Sequence, residues 1–335
     1  MRLSAATRAS LAALAGFGLL LSACSAEGAP TGASPSADGI NVVASTNVYG
    51  DIAKAIGGDK VNVTAIITKT SQDPHSYEAT AQDRLAVSKA QLVIENGGGY
   101  DGFVHTLAHE SNIQEGNIVS AVELSGLAHE EEASEPATAE ASEPADEQGH
   151  TDEHGHAEHG EFNEHVWYSM AAMGKLADEI AARLAEAEPG SAATFEANAA
   201  TFKSGLEGLT GKLTALSAAN AGAPVAVTEP VPLYLLEAAG LENKMPEDYT
   251  AAIEEGTDVP PAVLKAATDL AGSKDLTFLA YNLQTEGPQT EAVKKAAETA
   301  GVPVVDFSET LPEGKTYLQW MTDNVENISK VLEKK

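Results

Sequence analysis

The chain has 335 residues, enough for two domains of ordinary size, and 43% of them are hydrophobic, enough for packed cores. Its formal net charge of −30 opposes binding to nucleic acid or to anionic membrane surfaces and favours cations. With one cysteine, it can form no internal disulfide.

The N-terminal stretch carries Arg2 and Arg8 and then an apolar run from Leu11 to Leu21, too short for a permanent membrane span. The run ends in Leu21-Ser22-Ala23-Cys24, which resembles the lipobox of bacterial lipoprotein signal peptides, in which cleavage precedes the cysteine and the cysteine is lipidated. Residues 1–23 are therefore expected to be a lipoprotein signal peptide, with Cys24 the lipidation site. Residues 24–39 are small, polar and rich in Pro and Gly, the composition of a flexible tether.

From Ile40 the pattern alternates strand and helix. INVVAS reads as a buried strand, VYGDIAKAI as a helix closed by Gly57-Gly58, VNVTAII as a strand and DRLAVSKA as a helix. LVIE is a strand running into Gly97-Gly98-Gly99, and NIVSAVEL reads as a further strand. This order predicts an α/β unit with a mainly parallel sheet. Residues 128–164 are an insertion rich in Ala, Glu, Ser, Pro and His, without apolar periodicity. Two long helical patterns follow, MAAMGKLADEIAARLAEA and SAATFEANAATFKSGLEGLTGKLTALSAA, separated by Pro189-Gly190. A second α/β unit begins at Pro224: PVAVTE is a strand, VPLYLLEAAG a helix, PAVLKAATDLAG a helix, LTFLAY a strand, TEAVKKAAETAG a helix and VPVVDF a strand. TYLQWMTDNVENISKVLEKK forms the last helix.

Open α/β sheets bind ligands beyond the carboxyl ends of their strands. His75 lies in the loop TSQDPHSYE after the strand ending near Ile67, Glu229 directly follows PVAVT, Glu309 follows VPVVDF, and His165 leaves the acidic insertion. Taken singly, each could be a loop or capping residue. Together, two neutral imidazoles and two carboxylates make a nitrogen/oxygen shell suited to Zn²⁺ or Mn²⁺, with charge to balance a dication.

These segments resemble a known family. VVASTNVYGDIAKAIGGDKV with DPHSYE, NEHVWYSM, TEPVPLYLLEAAGL, and YNLQTEGPQTEAVKKAAETAGVPVVDFSETLPEGKTYLQWM are similar, in order, to the cluster A-I (cluster 9) zinc- and manganese-binding lipoproteins of ABC importers. The resemblance implies two α/β lobes, each with a mainly parallel sheet and flanking helices, joined by one long rigid helix, with a metal cleft between them. On this reading residues 40–190 form the first lobe, 191–219 the linking helix and 220–335 the second lobe. The implied metal ligands are His75, His165, Glu229 and Glu309, with Asp306 the alternative to Glu309. The chain departs from the family's Asp-Pro-His at Asn163-Glu164-His165.

The implied function is capture of Zn²⁺ outside the cytoplasm and delivery to an ABC transporter permease and, through it, an ATPase. The implied protein is a lipid-anchored monomer at the bacterial cell membrane, with no nucleic-acid partner. Glu at position 229 leans toward Mn²⁺ and the His-rich insertion toward Zn²⁺. A manganese importer protein, or a surface metal buffer or adhesin without a transport role, is the alternative. No H-E-x-x-H motif is present, and the reading is a binder rather than an enzyme.

The stretch HTDEHGHAEHGEFNEH holds five of the nine histidines. His165 falls on the family motif, whereas His150, His154, His156 and His159 are expected either to collect zinc weakly near the cleft or simply to be solvated. His129 is a more isolated candidate collector. His105 and His109, spaced i, i+4, read as two exposed residues on a helix, although the spacing permits a metal clamp.

Overall fold

The computed structural model describes residues 39–128 and 162–333. Cys24, His129, His150, His154, His156 and His159, and with them the expected signal peptide, lipidation site and zinc collectors, lie outside the described residues.

The first half carries β1 (Ile40–Thr46), α1 (Asn47–Gly57), β2 (Val61–Ile67), α2 (Ala81–Val87), β3 (Leu92–Glu95), α3 (Gly102–Glu110), β4 (Ile118–Ser120) and α4 (Ala121–Ser125). Its four strands form a parallel sheet in the order β2-β1-β3-β4. Two helices follow, α5 (Met170–Ala187) and α6 (Ala192–Asn220). The second half carries β5 (Ala223–Val227), α7 (Leu233–Ala238), β6 (Leu241–Asn243), α8 (Glu247–Glu254), α9 (Pro261–Ala271), β7 (Leu279–Asn282), α10 (Pro288–Ala300), β8 (Val304–Phe307) and α11 (Tyr317–Leu332). Its sheet, also parallel, has the order β6-β5-β7-β8. Both sheets thus place their first strand second in line and reverse direction beside it. Such a reversal opens a crevice at the carboxyl ends of the neighbouring strands, here β1 and β3 in one half and β5 and β7 in the other.

Sequence chemistry accounts for the elements. β1 has near-continuous burial because it is an inner strand covered on both faces. In α6, Phe195, Ala199, Phe202, Leu206, Leu209 and Leu213 are buried at spacings of three and four, a stripe that seats the helix along α1, α5 and α11. At about 1.5 Å per residue this helix is about 44 Å long, enough to run past both sheets. Gly205 lets α11 approach closely, since a Cβ there would stand 2.6 Å from Leu318 Cδ1.

The structure corrects one element outright. NIVSAVEL is strand only through Ser120, whose hydroxyl accepts from Glu123 N and starts α4, while Gly126 closes that helix in the left-handed region. A cap at Ser120 and a glycine at Gly126 enclose five residues of which only Val122 is β-branched, so the strand pattern does not continue past the cap. The segments forming β6 and α8 received no assignment from sequence and are regular elements here.

Candidate metal centre

His165 is the best-fixed member of the site. It is 1% exposed, and the 3₁₀ turn Val166–Tyr168 that follows is wholly buried. Tyr317 Oη donates to Trp167 O (2.7 Å), and Tyr168 Oη donates to Ser308 O (2.8 Å), so the segment is pinned to the second half. Asn163 orients the imidazole. Its Nδ2 donates to Pro230 O (3.1 Å), which leaves its Oδ1 as acceptor for His165 N (3.1 Å) and for His165 Nδ1 (2.8 Å). A carbonyl oxygen can only accept, so Nδ1 carries the proton and Nε2 presents its lone pair. Burial, and then the neighbouring His75, hold the His165 pKa well below the usual imidazole range, so the ring is neutral at neutral pH.

His75 comes from the loop after β2. Asp73 shapes that loop, accepting from His75 N (3.0 Å) and Ser76 Oγ (2.7 Å). The two imidazole centroids are 6.4 Å apart, with the Tyr100 ring set edgewise to both, at 5.0 Å from His75 and 5.8 Å from His165. Glu164 completes this side: it is 5% exposed and its Oε1 stands 3.4 Å from His75 Nε2. Ligand atoms of His75, Glu164 and His165 all lie within 4.8 Å of one another.

Two carboxylates face them from the second half. Glu229 follows β5 and Glu309 follows β8, and each is 4% exposed. Asn282, at the end of β7, donates through Nδ2 to Glu229 Oε2 and to Glu309 Oε1 (2.7 Å). Thr285 Oγ1 donates to Glu229 Oε2 (2.6 Å) and Tyr100 Oη to Glu309 Oε2 (3.0 Å). Tyr100 therefore joins the two groups, its ring against the histidines and its hydroxyl on Glu309. The four residues expected from sequence fall into two adjoining clusters rather than one four-atom shell. Asp306 lies within β8 and is exposed.

Two acidic residues of the site were not singled out from sequence. Glu164 was noted only as a departure from a motif, yet a carboxylate next to a candidate ligand histidine was a usable signal. Glu254 ends α8 and reaches to 3.9 Å from His165 Nδ1. Burial, followed by repulsion from Glu254, Asp101 and Glu309, pushes the Glu164 carboxyl up to about 9. Burial and then Glu309 push Glu254 up to about 7. Glu229 and Glu309 are raised as well, chiefly by burial. A dication is the chemistry that such a set of crowded, buried carboxylates would favour, because it offsets both burial and mutual repulsion.

The backbone that holds this arrangement is specific. Gly97, Gly98 and Gly99 all have positive φ, a turn that brings Asp101 back to accept from Asn96 N (2.7 Å) and Gly97 N (2.9 Å). Asn96 Nδ2 in turn donates to Glu164 O (3.0 Å). Across the cleft, Asn47 and Leu311 exchange two 2.8 Å bonds, and Tyr317 N donates to Asp51 (2.7 Å).

The chain matches known proteins along nearly its whole length. It is 27% identical over 337 residues to the manganese ABC transporter substrate-binding lipoprotein scaA of Streptococcus gordonii, covering 94% of this chain and 95% of that protein. In fold it is similar to the crystal structure of ZnuA (TM-score 0.64, 20% identity, 88% of this chain and 99% of that one). It is equally similar to the periplasmic zinc-binding protein TroA of Treponema pallidum (TM-score 0.65, 18% identity, 87% and 98%). The model of the ZnuA family, described as zinc-uptake complex component A, periplasmic, matches residues 42–331, and the chain belongs to that family.

Proposed function

We propose that this protein is the extracytoplasmic metal-binding component of an ABC importer, which captures Zn²⁺ in the cleft between its two halves and delivers it to a permease coupled to an ATPase. The supporting observation is the convergence of His75, His165 and Glu164 from one side with Glu229 and Glu309 from the other, all at the carboxyl ends of strands or beside them. His165 and His75 supply nitrogen, and Glu229 and Glu309 supply oxygen and charge. Glu164 is added here to the ligand candidates, and Glu309 is preferred to Asp306 because only Glu309 is buried among these groups. Residues 40–190 and 220–335 act as the two lobes around the linking helix, and Cys24 carries the lipid that holds the protein at the cell membrane. The protein works as a monomer, and the His-rich segment collects zinc for the cleft.

A second reading has its own support. Glu164, Glu229, Glu254 and Glu309 make the cleft richer in oxygen than in nitrogen, and oxygen donors suit Mn²⁺. Zinc is favoured because it binds a given nitrogen/oxygen site more tightly than manganese does. Uptake of radiolabelled zinc by cells lacking this chain tests the proposal. Wild type should restore uptake and His165→Ala should not, and equal restoration by both would reject the role of the cleft. Normal zinc uptake in the deleted cells would favour a buffer or adhesin.

A further inference from the structure

The helix α3 carries a second cluster of metal-ligating groups, separate from the cleft residues. His105 and His109 lie one turn apart on it, with side chains 50% and 51% exposed. Their Nε2 atoms are 2.9 Å apart and their ring centroids 4.5 Å apart. Two bonds of about 2.0–2.1 Å to one ion, meeting at angles between right and tetrahedral, place two ring nitrogens about 2.9–3.4 Å apart. The pair already has that spacing.

Two carboxylates fit the same purpose. Glu95, the last residue of β3, is 5% exposed, and its Oε1 is 3.1 Å from His105 Nδ1. With Glu95 ionised, that contact places the proton on Nδ1 and leaves the Nε2 lone pair facing His109 Nε2, where an ion would replace the hydrogen bond between the rings; metal-bound histidines ordinarily receive this support from a carboxylate. The other oxygen of Glu95, Oε2, is buried without a hydrogen-bond partner, so this acid is committed to His105 alone among its hydrogen-bonding neighbours. Glu115, on the 3₁₀ turn after α3, has Oε1 3.2 Å from His109 Nε2 and a side chain 72% exposed, free to swing onto an ion.

We infer that His105 and His109 form a second, surface site for a divalent cation of the zinc class, with Glu115 as an oxygen ligand and Glu95 as the positioning residue behind His105. Water fills the remaining positions, so this site is weaker and faster to exchange than the buried cleft.

The test uses the full chain, freed of metal and titrated with Zn²⁺ alone. The imidazole resonances of His105 and His109 should shift together after the first, tight equivalent is taken up. In calorimetry, His105→Ala/His109→Ala should lose one weaker equivalent and keep the tight one. Glu95→Gln, nearly isosteric and so compatible with the fold, should weaken that same equivalent by roughly 10–100-fold. Resonances that stay put through several equivalents of zinc, or a double variant that titrates like wild type, would overturn the site. An unchanged affinity in Glu95→Gln would overturn the positioning role. Loss of the tight equivalent in the double variant would instead place the principal ion on α3 and count against the cleft.

Discussion

Asn163 fixes which nitrogen of His165 faces the cleft, and this makes it the residue whose effect on metal binding is easiest to separate from ligation itself. Asn163→Ala leaves every candidate ligand in place but releases the imidazole, so zinc affinity should fall by roughly 10–100-fold while stoichiometry stays unchanged. Competition with a chromogenic chelator measures this, and an unaltered affinity would mean that packing alone orients the ring. The same assay ranks the acids. Glu309→Ala should weaken binding clearly, because its carboxylate is buried between Asn282 and Tyr100, whereas Asp306→Ala should change little on the exposed face of β8. The reverse ranking would move the ligand to Asp306. A place near the cleft was readable in sequence where a histidine or glutamate followed a strand, as with His75, Glu229 and Glu309. It was unreadable where the role depends on a partner: nothing local says that Asn282 will bridge two glutamates or that the Tyr100 hydroxyl will meet Glu309.

At the scale of elements, periodicity located the long helices well. MAAMGKLADEIAARLAEA coincides with α5, and the following pattern is displaced by one residue from α6. Short elements were harder, because a few residues carry too little pattern to outweigh their caps. NIVSAVEL divides at Ser120 for that reason. The unassigned EDYTAAIE forms α8, and missing that helix meant missing Glu254. The candidate ligands proposed for the cleft lie on either side of the His-rich segment, so deletion of residues 129–160 should preserve the fold and the tight zinc equivalent. The weaker equivalents held by His150, His154, His156 and His159 should disappear, leaving only the one proposed on His105 and His109. Calorimetry on both forms in one buffer decides it: loss of the tight equivalent would make that segment a source of fixed ligands, and identical titrations would make it a solvated insertion.

Across the whole molecule, the proposed ligand set would make proton and metal compete for the same acids. The Glu164 carboxyl at about 9 and Glu254 at about 7 lie above the 4.5 usual for glutamate, so the folded chain holds protons that the unfolded chain has released. A raised carboxylate pKa gives stability that is complete below the unfolded value and is lost as pH climbs through the folded one. Metal-free protein should therefore melt lower as pH rises above the unfolded 4.5, with the loss from Glu254 ending near 7 and only the loss from Glu164 continuing to about 9. His165 acts in the opposite sense, and only below its usual 6.5, where the unfolded chain takes up a proton that the buried ring refuses. Bound zinc replaces the carboxyl protons, so affinity should strengthen over the same rise in pH, with protons released on binding. At free zinc about 1,000 times Kd the ion adds roughly 4 kcal/mol of stability. The gap between metal-free and zinc-loaded melting temperatures should accordingly widen from pH 7 to 9, and a constant gap would argue against buried acids as ligands.

The most direct test of the cleft is a zinc competition titration of metal-free wild type beside the His165→Ala/Glu309→Ala variant, which removes one ligand from each half. Wild type should bind one equivalent tightly, and the variant should bind none with comparable affinity while its circular dichroism stays native. One tight equivalent of equal affinity in both proteins would contradict a metal site built between the two sheets.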